Sequence, residues 1–258
     1  MDEFQPLLGT AVVLVAHPDD EVIGFGALMQ QMKKAIVAFA TDGAPRDDYF
    51  WKAYGSRETY AEIRRQEARE ALSIIGANPV FLWERVPGGI ADQELFKHLP
   101  AAITALEQLI AEVRPGCLLT LAYEGGHPDH DAACFIAWAA GRRMNLPVWE
   151  GPLYHRRRDG SGAVQTFPAK SGKEIEFKVE GEILEKKLQV FHAYKSQRLV
   201  LNGFRPEIEQ FRPIMNYDFT SPPLPWKLNY ELWQWKMTGE EVAAEFASYL
   251  QSADLQGA

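Results

Sequence analysis

The sequence predicts an α/β fold in which the sheet is doubly wound and mostly parallel. Short apolar runs, typical of strands buried on both faces, alternate with longer amphipathic runs that indicate helices. Polar turns follow several of these apolar runs at their carboxyl ends, which is where open α/β sheets bind ligands. Hydrophobic residues make up 47% of the 258 residues, enough for one domain with a full core.

The first part of the chain alternates strand and helix. We predict strands at 10–15, 35–41, 80–83, 117–122 and 148–155. We predict the helices between them at 22–34, 62–75, 99–113 and 131–141. This order implies right-handed crossovers and a Rossmann-like sheet. Residues 44–60 have no clear period, so this loop either covers a site as a lid or packs on the body.

The pattern changes after Arg156. Two apolar stretches at 163–169 and 174–179 flank a Lys-Ser-Gly-Lys turn, which predicts a hairpin, and 182–194 predicts a helix. From Phe204 onward the chain is rich in proline and aromatic residues, whose commonest role is apolar packing rather than substrate contact. We therefore expect a main domain at 1–200 and an aromatic, proline-rich extension at 201–258 that packs on it.

Charge and composition narrow the function. The net charge of −8 and the pI near 5.3 argue against nucleic acid or an anionic membrane as the partner, and favour a small-molecule substrate. Cys117 and Cys134 lack the spacing of a zinc or redox pair. Residues 1–6 carry acid where a signal peptide carries base, and the sequence contains no apolar run of membrane-spanning length. We expect a cytoplasmic protein without membrane insertion.

Two polar clusters follow predicted strands, Ala-His-Pro-Asp-Asp-Glu at 16–21 and Glu-Gly-Gly-His-Pro-Asp-His-Asp at 124–131. Taken alone, the acids of the first cluster could simply favour the start of a helix. The second cluster repeats the layout, so the two corners can face each other and pool His17, Asp20, His127 and His130. Imidazoles with a carboxylate suit zinc or a similar divalent metal. The pair of clusters therefore predicts a catalytic metal site.

These clusters resemble those of the PIG-L or LmbE-like zinc-dependent de-N-acetylases. The similarity runs from about Val12 to about Gln197, and the two His-Pro-Asp motifs are its most specific parts. Supporting pieces are Thr41-Asp42-Gly43, Arg64 with Glu67, and Ser196-Gln197. The family often carries a Pro-Asp-Gly turn where this chain has Pro87-Gly88-Gly89, so that acid is missing or replaced by Asp92.

The resemblance implies a role for each matching residue. The implied metal ligands are His17, Asp20 and His130, with zinc as the expected metal and iron or another divalent ion as the second choice. Asp19 is the implied general base, His127 stabilises the oxyanion or protonates the leaving amine, and Asp129 orients a histidine. Arg64 matches a substrate-binding arginine.

Each role has a simpler alternative. His17 and His130 could be structural histidines with satisfied hydrogen bonds, and Asp19 could only cap a helix. His127 could support a ligand or be a weak ligand itself, and Arg64 could pair with Glu67 on a solvated helix face.

The implied activity is removal of an acetyl group from an N-acetylated amino sugar of the N-acetylglucosamine type, or from its conjugate. One alternative is hydrolysis of another amide, such as an antibiotic or peptide-like conjugate. The other is a catalytically silent sugar-binding homologue, against which Asp19, His127 and Asp129 count because a structural metal site does not need them. The resemblance also implies a homo-oligomer, either a trimer or a hexamer.

Overall fold

The computed structural model describes residues 7–252, in which seven strands form one sheet and two more form a small hairpin. The strand order of the sheet is β3-β2-β1-β4-β5-β9-β8, and the hairpin is β6-β7. The strands are β1 (Thr10–Val15), β2 (Lys34–Phe39), β3 (Asn78–Phe81), β4 (Cys117–Leu121), β5 (Val148–Gly151), β6 (Tyr154–Arg156), β7 (Gly162–Val164), β8 (Ile175–Lys178) and β9 (Ile208–Pro213).

Helices cover the sheet in two groups. They are α1 (Asp20–Phe25), α2 (Arg57–Ile75), α3 (Leu99–Val113), α4 (Pro128–Met144), α5 (Gly181–Ala193), α6 (Arg198–Leu201), α7 (Asn229–Leu232) and α8 (Gly239–Ser252). In one group α5 contacts both α1 and α2, and in the other α8 contacts both α3 and α4. Right-handed crossovers to either side of β1 place such groups on opposite faces of the sheet.

The sheet reverses its winding at β1. This strand pairs in parallel with β2 on one side and β4 on the other, while β2 pairs in parallel with β3 and β4 with β5. A crevice outside the carboxyl ends of the strands at such a switch point is the usual ligand site of open α/β sheets. The predicted α/β class with a doubly wound, mostly parallel sheet is confirmed, and the two His-Pro-Asp clusters follow β1 and β4.

Local sequence explains where two long helices begin and end. The Ser56 hydroxyl accepts a hydrogen bond from the Thr59 N–H at the start of α2, and Gly76 closes that helix with a left-handed φ of 70°. Pro128 opens α4, which ends at Asn145 in the left-handed conformation. Helix α2 starts before the predicted residue 62, so the irregular segment is limited to about 44–56, where it forms two short 3₁₀ turns.

The first predicted helix is too long. Instead of running over 22–34, α1 ends at Phe25 and a 3₁₀ turn at Leu28–Gln31 leads into β2. The cause is distant in sequence, because the Glu209 carboxylate of β9 accepts hydrogen bonds from the Ala27 and Leu28 N–H groups. Lys187 of α5 lies 2.7 Å from the same carboxylate, and both side chains are fully buried.

The predicted hairpin of 163–169 with 174–179 is wrong. The first stretch contributes β7, which pairs with β6, and the second contributes β8, which pairs with β9. The predicted strand 148–155 is also divided between β5 and β6. The Glu124 carboxylate accepts hydrogen bonds from the Leu153 and Tyr154 N–H groups and so diverts the chain out of the main sheet.

The segment after residue 201 contributes to the main sheet. Strand β9 pairs antiparallel with both β5 and β8, and α8 packs against α3 and α4. Neither element was anticipated in the aromatic, proline-rich stretch. Phe219, Tyr230 and Phe246 are fully or almost fully buried, as expected if aromatic residues there serve packing. The division at 1–200 and 201–258 stays a prediction.

Within residues 7–252, none of the helices has both the length and the apolar character needed to cross a bilayer. The acidic residues at 1–6, on which the expectation of no signal peptide rests, lie outside the described residues.

Candidate active site

The two His-Pro-Asp corners face each other at the switch point of the sheet. The imidazole ring of His17 lies with its centroid 4.4 Å from that of His127 and 5.3 Å from that of His130. Their side chains are almost completely buried, as are those of Asp20 and Asp129. The structure thus brings together residues more than 100 positions apart, as the paired clusters predicted.

The three predicted metal ligands are close neighbours. One oxygen of Asp20 lies 3.4 Å from His17 Nδ1, and the other lies 3.2 Å from His130 Nε2. One ring nitrogen from each of His17, His127 and His130 also lies within 4.8 Å of the others.

The donor set fits a zinc ion. Neutral imidazoles and a carboxylate are the ligands that zinc takes in catalytic sites. Among residues 7–252, the buried ring nitrogen His130 Nδ1 finds no hydrogen-bond partner. Leaving such polar atoms unpaired is costly, as expected of a site shaped to receive a bound group.

Asp129 holds His17 in a defined orientation. Its Oδ2 lies 3.2 Å from His17 Nε2 and accepts a hydrogen bond from the Gln93 N–H, while its Oδ1 accepts one from the Leu95 N–H. A proton on Nε2, shared with this fixed carboxylate, leaves the Nδ1 lone pair of His17 directed towards Asp20. This is the contact that an orienting carboxylate would make, and the role of Asp129 stays a prediction.

His127 differs from the other two histidines in the hydrogen bond it accepts. Its Nδ1 accepts from the Asp129 N–H at 3.1 Å, capping α4, so the proton of the neutral ring resides on Nε2. Burial lowers the pKa of His127, and the neighbouring His17 lowers it further. A neutral ring with its N–H directed into the site can donate a hydrogen bond there.

Asp19, in the first His-Pro-Asp corner, has a strained backbone conformation. Its φ of 124° is one that L-residues rarely adopt. The Asp19 N–H donates to Glu21 Oε2 at 3.0 Å, and the Tyr194 hydroxyl donates to the other oxygen of Glu21. Burial raises the pKa of Asp19 to about 7, although the nearby Arg64 opposes this. A carboxylate with a pKa near neutrality is well suited to act as a general base.

Arg64 is buried beside Asp19. Its guanidinium donates to the carbonyl oxygens of Pro18 and Gly43, at 2.6 Å each, and lies 3.2 Å from Asp19 Oδ1. The alternative of an Arg64–Glu67 pair on a solvated helix face is wrong, because both side chains are buried and the Glu67 carboxylate instead accepts hydrogen bonds from the backbone N–H and the hydroxyl of Ser196.

Asp92 was named above only as a possible replacement for a missing acid, and two aromatic side chains that border the histidines were not predicted to do so. Asp92 Oδ1 lies 3.3 Å from His17 Nε2 and 3.4 Å from His127 Nε2, although no Pro-Asp-Gly turn precedes it. The indole of Trp235 lies 4.9 Å from the His127 ring, and the ring of Tyr154 lies 5.3 Å from that of His130. The position of Asp92 could have predicted its place in the site, because the loop after β3 lies at the same edge of the sheet as both corners.

The family model named PIG-L, described as GlcNAc-PI de-N-acetylase, matches residues 12–141, just over half of the chain. The chain belongs to the PIG-L family. The matched range contains both His-Pro-Asp corners together with Arg64 and Asp92.

Relatives within this PIG-L group are named as deacetylases. A 1D-myo-inositol 2-acetamido-2-deoxy-α-D-glucopyranoside deacetylase of Corynebacterium glutamicum is 26% identical over 228 residues, covering 76% of this chain and 78% of that protein. A probable N-acetyl-α-D-glucosaminyl L-malate deacetylase of Bacillus subtilis is 29% identical over 127 residues, covering 47% and 55%. The first comparison extends beyond the range matched by the PIG-L model.

A solved structure shares the fold. Teicoplanin deacetylase, crystallised in a zinc-inhibited form, superimposes with a TM-score of 0.61 at 21% identity, covering 81% of this chain and 99% of that one. The similarity supports the architecture described above for this PIG-L protein.

Proposed function

We propose that this protein is a metal-dependent hydrolase that removes the acetyl group from an N-acetylated amino sugar or its conjugate. The observation that carries the proposal is a division of labour inside one buried cluster. His17, Asp20 and His130 form a donor set for zinc, while Asp19 contributes a buried carboxylate beside it and His127 a ring N–H. Amide hydrolysis needs each of these parts.

The chain's own residues account for the proton movements. His17, Asp20 and His130 would hold a zinc ion, which would supply Lewis acidity to polarise the acetamide carbonyl and to activate water. Asp19 accepts a proton from the attacking water as the water oxygen bonds to the carbonyl carbon. The Nε2–H of His127 donates a hydrogen bond to the developing oxyanion. The C–N bond then breaks as the amine nitrogen takes up the proton that Asp19 received, and the acetic acid that is released loses its remaining proton to solvent as acetate.

The surrounding contacts keep these groups in place. Asp129 fixes the ring of His17, and the Glu21–Tyr194 pair holds the backbone of Asp19. Such preorganisation matters because misplacing a reacting group by about 1 Å can cost about 100-fold in rate. A catalytically silent sugar-binding protein would not need a strained, buried carboxylate in this position.

The names of the relatives support a sugar substrate. The two curated deacetylases described above act on amino sugars that carry inositol or malate, and the structural neighbour is a teicoplanin deacetylase. The acetamido sugar is common to both curated names, whereas the attached group changes. We therefore propose an N-acetylglucosamine-type substrate, with an antibiotic conjugate as the second candidate because of the structural neighbour. A cytoplasmic location and a homo-oligomeric assembly stay predictions.

The test is amine release from a substrate panel: N-acetylglucosamine, its short β-linked oligomers, and its inositol- and malate-linked conjugates. Wild type and Asp19→Ala are assayed in parallel with one equivalent of zinc or iron, since excess zinc could inhibit as in the structural neighbour. Cleavage by wild type and a loss of about 10²- to 10⁴-fold in the variant is the expected result. A folded, metal-loaded wild type that releases no amine from any of these compounds would contradict the proposal.

A further inference from the structure

Aromatic side chains from three separate segments border the candidate active site. We call them the aromatic rim, which consists of Phe50, Tyr154, Trp233 and Trp235. Phe50 lies in the irregular segment before α2, Tyr154 begins β6, and the two tryptophans follow α7. Three of the four lie outside the range matched by the family model, so the rim is not a feature of that match.

The rings form a connected chain that begins at the catalytic histidines. Trp235 lies 4.9 Å from His127, 5.1 Å from Trp233 and 6.4 Å from Phe50, measured between ring centroids. Tyr154 lies 5.3 Å from His130 and 6.2 Å from Trp233. The inner rings, Trp235 and Tyr154, therefore touch the site, and the outer rings stand one ring further away.

The outer rings are open to solvent. Trp233 is 44% exposed and Phe50 is 36% exposed, which is a large apolar surface to leave beside a polar site. Gln234, between the two tryptophans, adopts a left-handed φ of 58°, and such conformations persist when surrounding contacts determine them. Exposed aromatic surface that is continuous with a catalytic centre is typical of a ligand-binding surface.

We propose that the aromatic rim is a subsite for a flat, apolar aglycone attached to the N-acetylated amino sugar. This inference rests on the proposed function. The acetamido sugar must lie at the histidines for its amide to react, which places it against the inner rings. The outer rings then meet the next group of the substrate, and exposed ring faces favour stacking with an aryl group.

Two glycosides that differ only in the aglycone test this. The 4-nitrophenyl and methyl 2-acetamido-2-deoxy-β-D-glucopyranosides are compared by amine release, and kcat/KM is measured for each. We expect wild type to prefer the aryl glycoside by about tenfold, Trp233→Phe to keep much of that preference, and Trp233→Ala to bring the ratio close to one. A ratio near one in wild type, or an unchanged ratio in Trp233→Ala, would overturn the subsite.

Leu199 supplies a matched control for loss of an exposed apolar side chain. It is 89% exposed, and it is not part of the rim. Leu199→Ala should keep the wild-type ratio of kcat/KM values. A ratio that falls in Leu199→Ala as far as in Trp233→Ala would count against a role for the rim itself.

Equilibrium binding separates failure of the rim from failure of the proposed activity. Titration of both glycosides into metal-loaded Asp19→Ala, and into the same variant carrying Trp233→Ala, needs no turnover. A binding preference for the aryl glycoside that Trp233→Ala removes would support the rim even if no acetyl group were released by wild type. Equal or undetectable binding of both glycosides would overturn the rim.

Discussion

The two His-Pro-Asp corners have the same residues at their centre but different supports. In the second corner His127 has an extended backbone, accepts a hydrogen bond from the N–H two residues on, and starts the 17-residue α4. In the first corner Asp19 has a φ of 124° and precedes α1, which has only six residues. The backbone of His127 is set by the start of a long helix, whereas the backbone of Asp19 depends on side chains that are distant in sequence.

This difference matches the different tasks of the two corners. Arg64 of α2 holds the Pro18 carbonyl and the Asp19 carboxylate, and Tyr194, just after α5, holds Glu21, which in turn holds the Asp19 N–H. A base that must meet a water molecule needs a position that an ordinary helix start does not provide. Distant contacts can maintain such a strained position, at a cost that the rest of the fold offsets.

The largest expected effect is on metal content, and it distinguishes the proposed metal ligand His130 from the proposed hydrogen-bond donor His127. His130→Ala should remove most of the bound metal, because it deletes one of three proposed ligands. His127→Ala should keep near-stoichiometric metal and lose activity, because its ring supplies only a hydrogen bond. Elemental analysis of both purified variants, together with amine release, makes the measurement. Full metal content in His130→Ala would exclude it as a required ligand.

A smaller effect on metal affinity is expected from the contact between Asp129 of the second corner and His17 of the first. Asp129→Asn should weaken metal affinity by about 10- to 100-fold, since it disturbs the carboxylate that orients His17. Competition with a chelator measures this affinity. Glu124→Gln is the matched control, because this buried acid holds the Leu153 and Tyr154 N–H groups. An equal loss of affinity in both variants would indicate general damage to the fold rather than orientation of His17.

The second corner was the easier of the two to predict. Pro128 at the start of a helix and the preceding strand are local signals, and they place His127 and His130 at the sheet edge without knowledge of the rest of the chain. The position of the first corner after β1 was equally clear. Its conformation was not, because the φ of Asp19 depends on Arg64 and Tyr194, which no local pattern links to it.

The same reasoning explains the errors in the fold. The early end of α1 depends on Glu209, which lies 182 residues beyond Ala27 in sequence. The pairing of β8 with β9 was missed because β9 lies in a proline- and aromatic-rich segment that showed no clear strand pattern. The rim likewise depends on packing, since Phe50 and Trp235 are far apart in sequence and meet only in the folded chain. Strand ends and helix starts are encoded locally, whereas strand pairing and contacts between distant side chains are not.

The pH dependence of catalysis tests the support from Arg64. Burial raises the pKa of Asp19 to about 7, and the positive charge of Arg64 opposes that rise. A base works when deprotonated, so activity should rise with pH through this pKa. In Arg64→Met the opposing charge is lost, the pKa of Asp19 increases, and the rising limb of kcat against pH should move to higher pH.

Arg64→Lys is the matched control for that shift, because it keeps the charge and loses the planar group that spans Pro18 and Gly43. Its rising limb should stay closer to that of wild type. If both variants raise KM and leave the limb unmoved, Arg64 contacts substrate, as the family resemblance implies, and does not tune Asp19.

The smallest expected effect measures the strain in the first corner directly. Asp19→Ala and Asp19→Gly both remove the proposed base, so both should lose activity to a similar degree. Only glycine adopts a φ of 124° without a steric penalty, so Asp19→Gly should be more stable than Asp19→Ala by about 1 kcal/mol. Chemical denaturation of the metal-free variants makes the comparison. Equal stability of the two variants, or a more stable Asp19→Ala, would contradict a strained backbone at Asp19.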